Sequence, residues 1–342
     1  MSGIRIAAIA CGVLLTTCVA APAAGPSLSP SSGVASPSPT ATATATAAAI
    51  ATASRPLIPL PSFATIVAPS GTVVWAFVAA SRLFRSTDRG ETWQERALPP
   101  GPAPALAFVD DREGFALVPG SPAVQCGGPM GSLSHTVDGG LTWERLSPSG
   151  VADAQCKDTI AFIDGRHGYL GTYDPNSAPL IYRTTDAGLT WTASRPLPDP
   201  PGFRTVAGGR SLRIGTIVGF GSVLLASARA NSPTVGGLYA FRSTDDGATW
   251  SYASTAPVFN RDLVFVSADR WLQIGQPDDS KETTDGGVTW HAFSTTYQQA
   301  APIAPAMVFG DPEVGYATVR GQIQRTVDGG VRWTVLRTPG TF

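Results

Sequence analysis

One motif recurs six times along this chain and constrains its fold more than any other feature. It reads RSTDRGETW from Arg85 to Trp93, HTVDGGLTW from His135 to Trp143, RTTDAGLTW from Arg183 to Trp191, RSTDDGATW from Arg242 to Trp250, ETTDGGVTW from Glu282 to Trp290 and RTVDGGVRW from Arg325 to Trp333. The shared frame is Ser/Thr-x-Asp-x-Gly-x-x-Trp. Its aspartates, Asp88, Asp138, Asp186, Asp245, Asp285 and Asp328, stand 50, 48, 59, 40 and 43 residues apart. A period in that range means stacked four-stranded units.

Each position of the frame has a physical reason. An Asp followed two residues later by Gly closes a turn on its own backbone, and the Gly supplies the positive φ that a tight hairpin needs. The residues on either side of the turn, such as Ile181 to Thr184 before Asp186 and the Thr-Trp after Gly188, are mostly β-branched and aromatic, as antiparallel strands prefer. A Trp at a fixed offset can fill the gap between neighbouring units while its indole N–H meets a carbonyl.

The frame closely resembles the Asp-box, or BNR repeat, of sialidases, sortilin-type ectodomains and Ycf48-type photosystem II assembly factors. That resemblance spans roughly residues 63 to 337 and implies a β-propeller with each box on the turn between the third and fourth strand of a blade. It makes Asp88, Trp93, Asp138, Trp143, Asp186, Trp191, Asp245, Trp250, Asp285, Trp290, Asp328 and Trp333 structural residues. In these families the box lies away from the active face, so it speaks to fold and much less to function.

A second pattern completes the blade. Phe108 to Phe115, Phe162 to Tyr169 and Phe309 to Tyr316 all read Phe-x-Asp-x-x-x-Gly-Phe/Tyr, in which one strand ends, a polar turn follows and another strand begins. This arrangement is most similar to the Ycf48-type propellers. Blade five departs from it, with Ser267 for Asp and Trp271 where Gly should stand, and blades one and four keep only the alternation. Setting the N-terminal region aside leaves roughly 46 residues per box, which suits six blades and leaves little room for a seventh. The expected fold is therefore all-β, a propeller of six four-stranded blades over residues 56–342.

The first 55 residues follow different physics. Arg5 precedes an apolar run, Ile6 to Leu15, too short to span a bilayer but suited to a signal-peptide core, so export is expected. Leu15-Thr16-Thr17-Cys18 resembles a bacterial lipobox, which would make residues 1–18 a leader and Cys18 a lipidation site. Thr17 departs from the usual small residue, and cleavage near Ala21-Pro22-Ala23 is the alternative. Residues 19–55 are mostly Ala, Pro, Ser and Thr with a single charge at their end, a disordered tether in expectation.

Two of the four cysteines lie in that leader, which leaves Cys126 and Cys156, both in loop-like settings, as an expected disulfide in an oxidising compartment. The charge is nearly balanced, 24 basic against 25 acidic residues, so no basic field recruits nucleic acid. His135, His167 and His291 are scattered without metal-ligand spacing, and no cofactor or metal is expected. Sialidase-type chemistry, with three arginines on a carboxylate, a Tyr nucleophile activated by Glu and an Asp acid, is the enzymatic alternative. Its usual Arg-Ile-Pro element has only an out-of-frame counterpart at Arg55 to Pro59.

The longest interval between boxes holds Arg204, Arg210, Arg213 and Arg229 around a Gly-rich turn. These are the candidate binding residues, for an acidic partner on one face of the ring. The sequence as a whole points to a monomeric, extracytoplasmic scaffold, lipid-anchored or secreted, that binds an envelope protein or polysaccharide.

Overall fold

Twenty-four short strands, grouped in fours, account for the regular structure of the computed structural model, which describes residues 57–59, 63–101, 104–118, 131–153, 156–174, 176–232, 235–275, 279–297, 306–319 and 321–342. All of these lie in the compact unit Ser54–Phe342. The leader and tether, with Cys18, are outside the described residues, as is Cys126.

Blade one is β1 (Ala64–Val67), β2 (Val74–Val78), β3 (Arg82–Ser86) and β4 (Gln94–Arg96). Blade two is β5 (Ala105–Phe108), β6 (Gly114–Val118), β7 (Ser132–Thr136) and β8 (Glu144–Leu146). Blade three is β9 (Cys156–Phe162), β10 (Gly168–Tyr173), β11 (Ile181–Thr184) and β12 (Thr192–Ala193). Blade four is β13 (Ser211–Phe220), β14 (Val223–Asn231), β15 (Leu238–Ser243) and β16 (Ser251–Thr255). Blade five is β17 (Val264–Phe265), β18 (Trp271–Gln273), β19 (Lys281–Thr283) and β20 (His291–Ala292). Blade six is β21 (Ala306–Phe309), β22 (Gly315–Val319), β23 (Gln322–Thr326) and β24 (Thr334–Leu336). Each blade is an antiparallel meander in chain order, and the chain is a six-bladed β-propeller.

Burial explains the composition of the strands. All five residues of β2 (VWAFV), of β6 (GFALV) and of β22 (GYATV) are buried, because a neighbouring blade covers each face of a second strand. Continuous apolar runs replace the alternation of a half-exposed strand there. The outer strands β4, β8 and β24 are largely exposed, and β4 and β8 are mostly polar.

Aromatic pairs join blade to blade. Trp75 of β2 stacks on Phe108 of β5 with ring centroids 3.7 Å apart, and Phe115 of β6 stacks on Phe162 of β9 at 3.5 Å. The box tryptophan of the second blade in each pair, Trp143 or Trp191, meets that Phe edge-on. The indole N–H of Trp143 donates to the Ala97 carbonyl of the preceding blade, whereas those of Trp191 and Trp333 donate to Gly188 and Gly330 in their own turns.

The arginine three residues before the box Asp also reaches across a seam, not merely along its own strand. Arg85 donates to the Asp111 carbonyl, Arg183 pairs with Asp246, Arg242 with Asp269, and Arg325 with Glu91 and the Arg89 carbonyl. In blade two, His135 takes this place, bonded to Glu113 at 2.9 Å.

Two departures seen in the sequence have local explanations. Ser267 in blade five accepts N–H bonds from Asp269 and Arg270, and Ser70 in blade one accepts from Thr72 and Val73, as Asp110, Asp164 and Asp311 do in the other turns. Blade four instead joins β13 to β14 through Gly221 and Ser222 alone. Cys156 opens β9 and so belongs to an inner strand, not to the connection between blades. The ring closes without a shared strand: Ile58 bridges Thr341 in parallel and its N–H donates to the Gly340 carbonyl at 2.8 Å.

The boxes repeat one hydrogen-bond set. Ser86 Oγ donates to Asp88 Oδ1 at 2.7 Å and accepts from the Gly90 N–H at 2.8 Å, while the carboxylate accepts from the Thr92 N–H and hydroxyl at 2.9 and 2.5 Å. Thr142, Thr190, Thr249 and Thr289 bind Asp138, Asp186, Asp245 and Asp285 in the same way. Box six has Arg332 for that Thr, and its N–H donates to Asp328 at 2.8 Å.

Hydrogen bonds from the threonine hydroxyl and N–H hold Asp88, Asp186, Asp245 and Asp285 down to about 2 and lower Asp138 likewise. At Asp328 burial opposes the shift, but the Arg332 N–H and Thr326 hydroxyl still bring it down. A carboxylate whose folded value lies below its unfolded one, about 3.9, stabilises the fold fully above the unfolded value and ceases to do so as pH falls through the folded value. The melting temperature is therefore expected to fall steeply between about pH 4 and 2, and Asp186→Asn to shallow that fall. A melting temperature independent of acid would contradict this account.

Ala187 and Gly188 in box three both adopt left-handed backbone, at φ +59 and +86. Box two has Gly at both positions, Gly139 and Gly140. The left-handed region costs an L-residue roughly 1–2 kcal/mol, part of which a glycine returns as entropy of the unfolded chain. Ala187→Gly is expected to stabilise by about 0.5–1 kcal/mol, read as a rise in urea midpoint at constant slope. A lower midpoint would show that the methyl contributes more packing than the turn costs.

Candidate functional site

The two ends of the ring differ because every blade is a meander. The turns between first and second strands and the box turns close one end. Second-to-third strand turns and blade connections close the other, here called the open end. Blade four rises at the open end: β13 and β14 have ten and nine residues against four and five for β1 and β2. Their register runs from Ser211 opposite Asn231 down to Phe220 opposite Val223.

That extension brings Arg213 and Arg229 together. They are direct cross-strand partners, and such partners share a face of the sheet. The Arg229 guanidinium donates to Asp262 Oδ1 at 3.0 Å, to the Arg261 carbonyl at 3.3 Å and to the Phe259 carbonyl. The other two candidates stand apart on the connection from β12 to β13. Arg204 is exposed, and Arg210 exchanges backbone bonds with Val206 across a tight turn.

Arg213 and Arg229 line a mouth of about 390 Å³ with Asp262, Thr159, Thr216 and Ser227. Two β-bulges shape it. Between Ile214 and Ile217 the register of β13 slips so that Gly215 and Thr216 both oppose Ser227, and the Thr216 N–H donates to Ser227 Oγ at 3.0 Å. In the neighbouring inner strand β9 the register slips opposite Gly171 and Thr172, leaving Asp158 unpaired between Lys157 and Thr159. Bulges re-aim side chains beside functional sites. Neither these slips nor Asp262 carries a sequence signal, since a bulge is defined only by the partner strand and Asp262 meets Arg229 across 33 positions.

Below the mouth a central channel of about 640 Å³ runs between the first strands of all six blades. Its wall is mostly apolar, and among the described lining residues of mouth and channel the charged side chains are Arg213, Arg229, Asp262 and Asp311. None is Tyr or Glu. The Asp311 carboxylate accepts N–H bonds from Glu313 and Val314 in its own turn.

Three tyrosines lie between blades instead of in the channel. Burial pushes Tyr316 up to about 12 and raises Tyr297. Burial, followed by its 2.5 Å bond to Asp246, raises Tyr169. Such phenols are poor nucleophiles near neutral pH. Among the described residues no group of His, Cys, Asp and Glu forms a metal cluster.

Fold and repeats together define the class: a six-bladed Asp-box β-propeller. A family profile described as the BNR/Asp-box repeat matches residues 84–95. Among solved structures, a protein of unknown function from Dyadobacter fermentans is 14% identical, with TM-score 0.51 over 82% of this chain and 95% of its own. The Hadza microbial sialidase Hz136 is 15% identical, with TM-score 0.50 over 76% of this chain and 65% of its own. YCF48 bound to a D1 peptide is 19% identical, with TM-score 0.48 over 81% and 82%. At these identities the likeness is one of fold. No curated protein matches the chain in sequence.

Proposed function

We propose that this propeller is an exported scaffold, lipid-anchored through Cys18 and stapled by Cys126 and Cys156, that binds an acidic segment of an envelope protein or an anionic envelope polysaccharide at its open end. The observation that carries the reading is the mouth beside blade four, where two arginines share one sheet face at the end remote from the boxes. With Asp262 paired to Arg229, the two arginines leave this face with a net positive charge that an anionic partner complements. A sialidase-type site needs a Tyr–Glu pair and a third Arg at the ring centre, and the described lining supplies neither.

Binding of the full chain to immobilised poly-L-glutamate and to hyaluronate, as protein-like and glycan-like probes, tests this. Saturable binding to one of them is expected, weakened at least tenfold by Arg213→Gln with Arg229→Gln and less than twofold by Arg204→Gln with Arg210→Gln. Hydrolysis of a fluorogenic sialoside is expected to stay at background, and Cys18→Ala to release the protein from the membrane fraction. Sialoside turnover would overturn the scaffold reading, whereas binding indifferent to the first pair would remove the mouth as its site.

A further inference from the structure

The mouth adjoins the channel. Thr159, Thr216, Leu263, Val264 and Met307 line both. The combined cavity is polarised along its length, with Arg213 and the Arg229–Asp262 pair, net positive, at the open end and the turn carboxylate Asp311 at the other. Between them each blade contributes apolar wall: Ile66, Leu106, Ala161, Val218, Leu263 and Val308 in ring order.

Such a space suits one class of ligand. An alkyl chain gains by leaving water for an apolar channel, and the channel volume lies within the ~300–1,000 Å³ of small-molecule sites. The mouth keeps a net positive charge beside the Arg229–Asp262 pair, which favours an anionic headgroup, and Asp311 disfavours the reversed orientation. The bulge at Gly215 and Thr216 places an exposed hydroxyl where head and chain would meet. We propose that mouth and channel form a binding site for a single-chain amphiphilic anion, with its carboxylate or phosphate at Arg213 and Arg229 and its chain between the inner strands. The site shares its arginines with the proposed acidic-partner surface, but purified protein and a small probe read it without that partner, so either reading can fail alone.

Calorimetric titration of the full chain with laurate below its micellar range tests the site. One saturable equivalent is expected, with dodecyl phosphate comparable, octanoate at least tenfold weaker, and acetate and dodecyltrimethylammonium not binding. Thr216→Trp, which fills the junction between mouth and channel, is expected to abolish laurate binding. Arg213→Gln is expected to weaken laurate at least tenfold while leaving neutral dodecanol unchanged. If Thr216→Trp fails to fold, the chain-length series and Arg213→Gln decide alone. Absence of saturable laurate binding, equal binding of the alkylammonium, or tighter binding of an apolar hexapeptide with a free C-terminal carboxylate would overturn the assignment, the last in favour of a peptide site.

Discussion

Replacing Trp191 by alanine is expected to destabilise the propeller by about 3–5 kcal/mol, the range for truncating a buried aromatic. Trp191 is 4% exposed, and its indole N–H donates to the Gly188 carbonyl at 2.9 Å. Its ring meets Phe162 edge-on at 6.2 Å, and Phe162 stacks on Phe115 of the preceding blade. Removal therefore opens a void beneath the box turn and loosens the seam between blades two and three. Urea titration followed by tryptophan-independent far-ultraviolet dichroism reads the loss. Trp143→Ala, at a half-buried site, should cost less. An unchanged midpoint for Trp191→Ala would show that the box tryptophan merely decorates its turn.

How much of this was legible beforehand depends on the range of the interactions. The boxes are local, since Asp186 and Thr190 satisfy each other within one turn, and so blade number and strand order followed from spacing. The role of Ser70 and Ser267 was hidden by residue identity, although a hydroxyl oxygen accepts the same two N–H bonds as a carboxylate. The arginines before the boxes reach the next blade because the seam brings a foreign turn beside each guanidinium, a contact that no local pattern announces.

The candidate site was only half legible. Arg213 and Arg229 and the pair Arg204 and Arg210 look alike as members of one long interval. Register alone separates them, by placing the first two opposite each other on β13 and β14 and the others on a connection. The channel was hidden for a related reason. Val218 and Ile217 are adjacent apolar residues of one strand, yet Val218 is half-buried beside the channel while Ile217 is 4% exposed within the core. An apolar pattern shows that a strand is covered on both sides, not which side faces a cavity.

Gly168→Ala is expected to cost about 2–3 kcal/mol despite adding a single methyl group, because overpacking a dense core forces its neighbours to move. Gly168 is the register partner of Phe162, whose ring lies across the glycine, and a Cβ there would stand 2.5 Å from Phe162 Cε1. That ring has no free direction: Phe115 stacks on it at 3.5 Å and Trp191 abuts it edge-on. The same Phe–Gly pairing recurs at Phe108 with Gly114 and at Phe309 with Gly315, which is why the second sequence pattern keeps glycine before its closing aromatic. Blade five shows the alternative, with Trp271 opposite Phe265 and the two rings turned edge to face at 5.2 Å. A double-mutant cycle with Phe162→Leu separates the clash from any backbone preference for glycine. If the ring is the cause, the two changes couple by about 1–2 kcal/mol, with the double variant less destabilised than the sum. Strict additivity in urea midpoints would instead assign the cost to the β10 backbone and leave the Phe–Gly pairing without an energetic role.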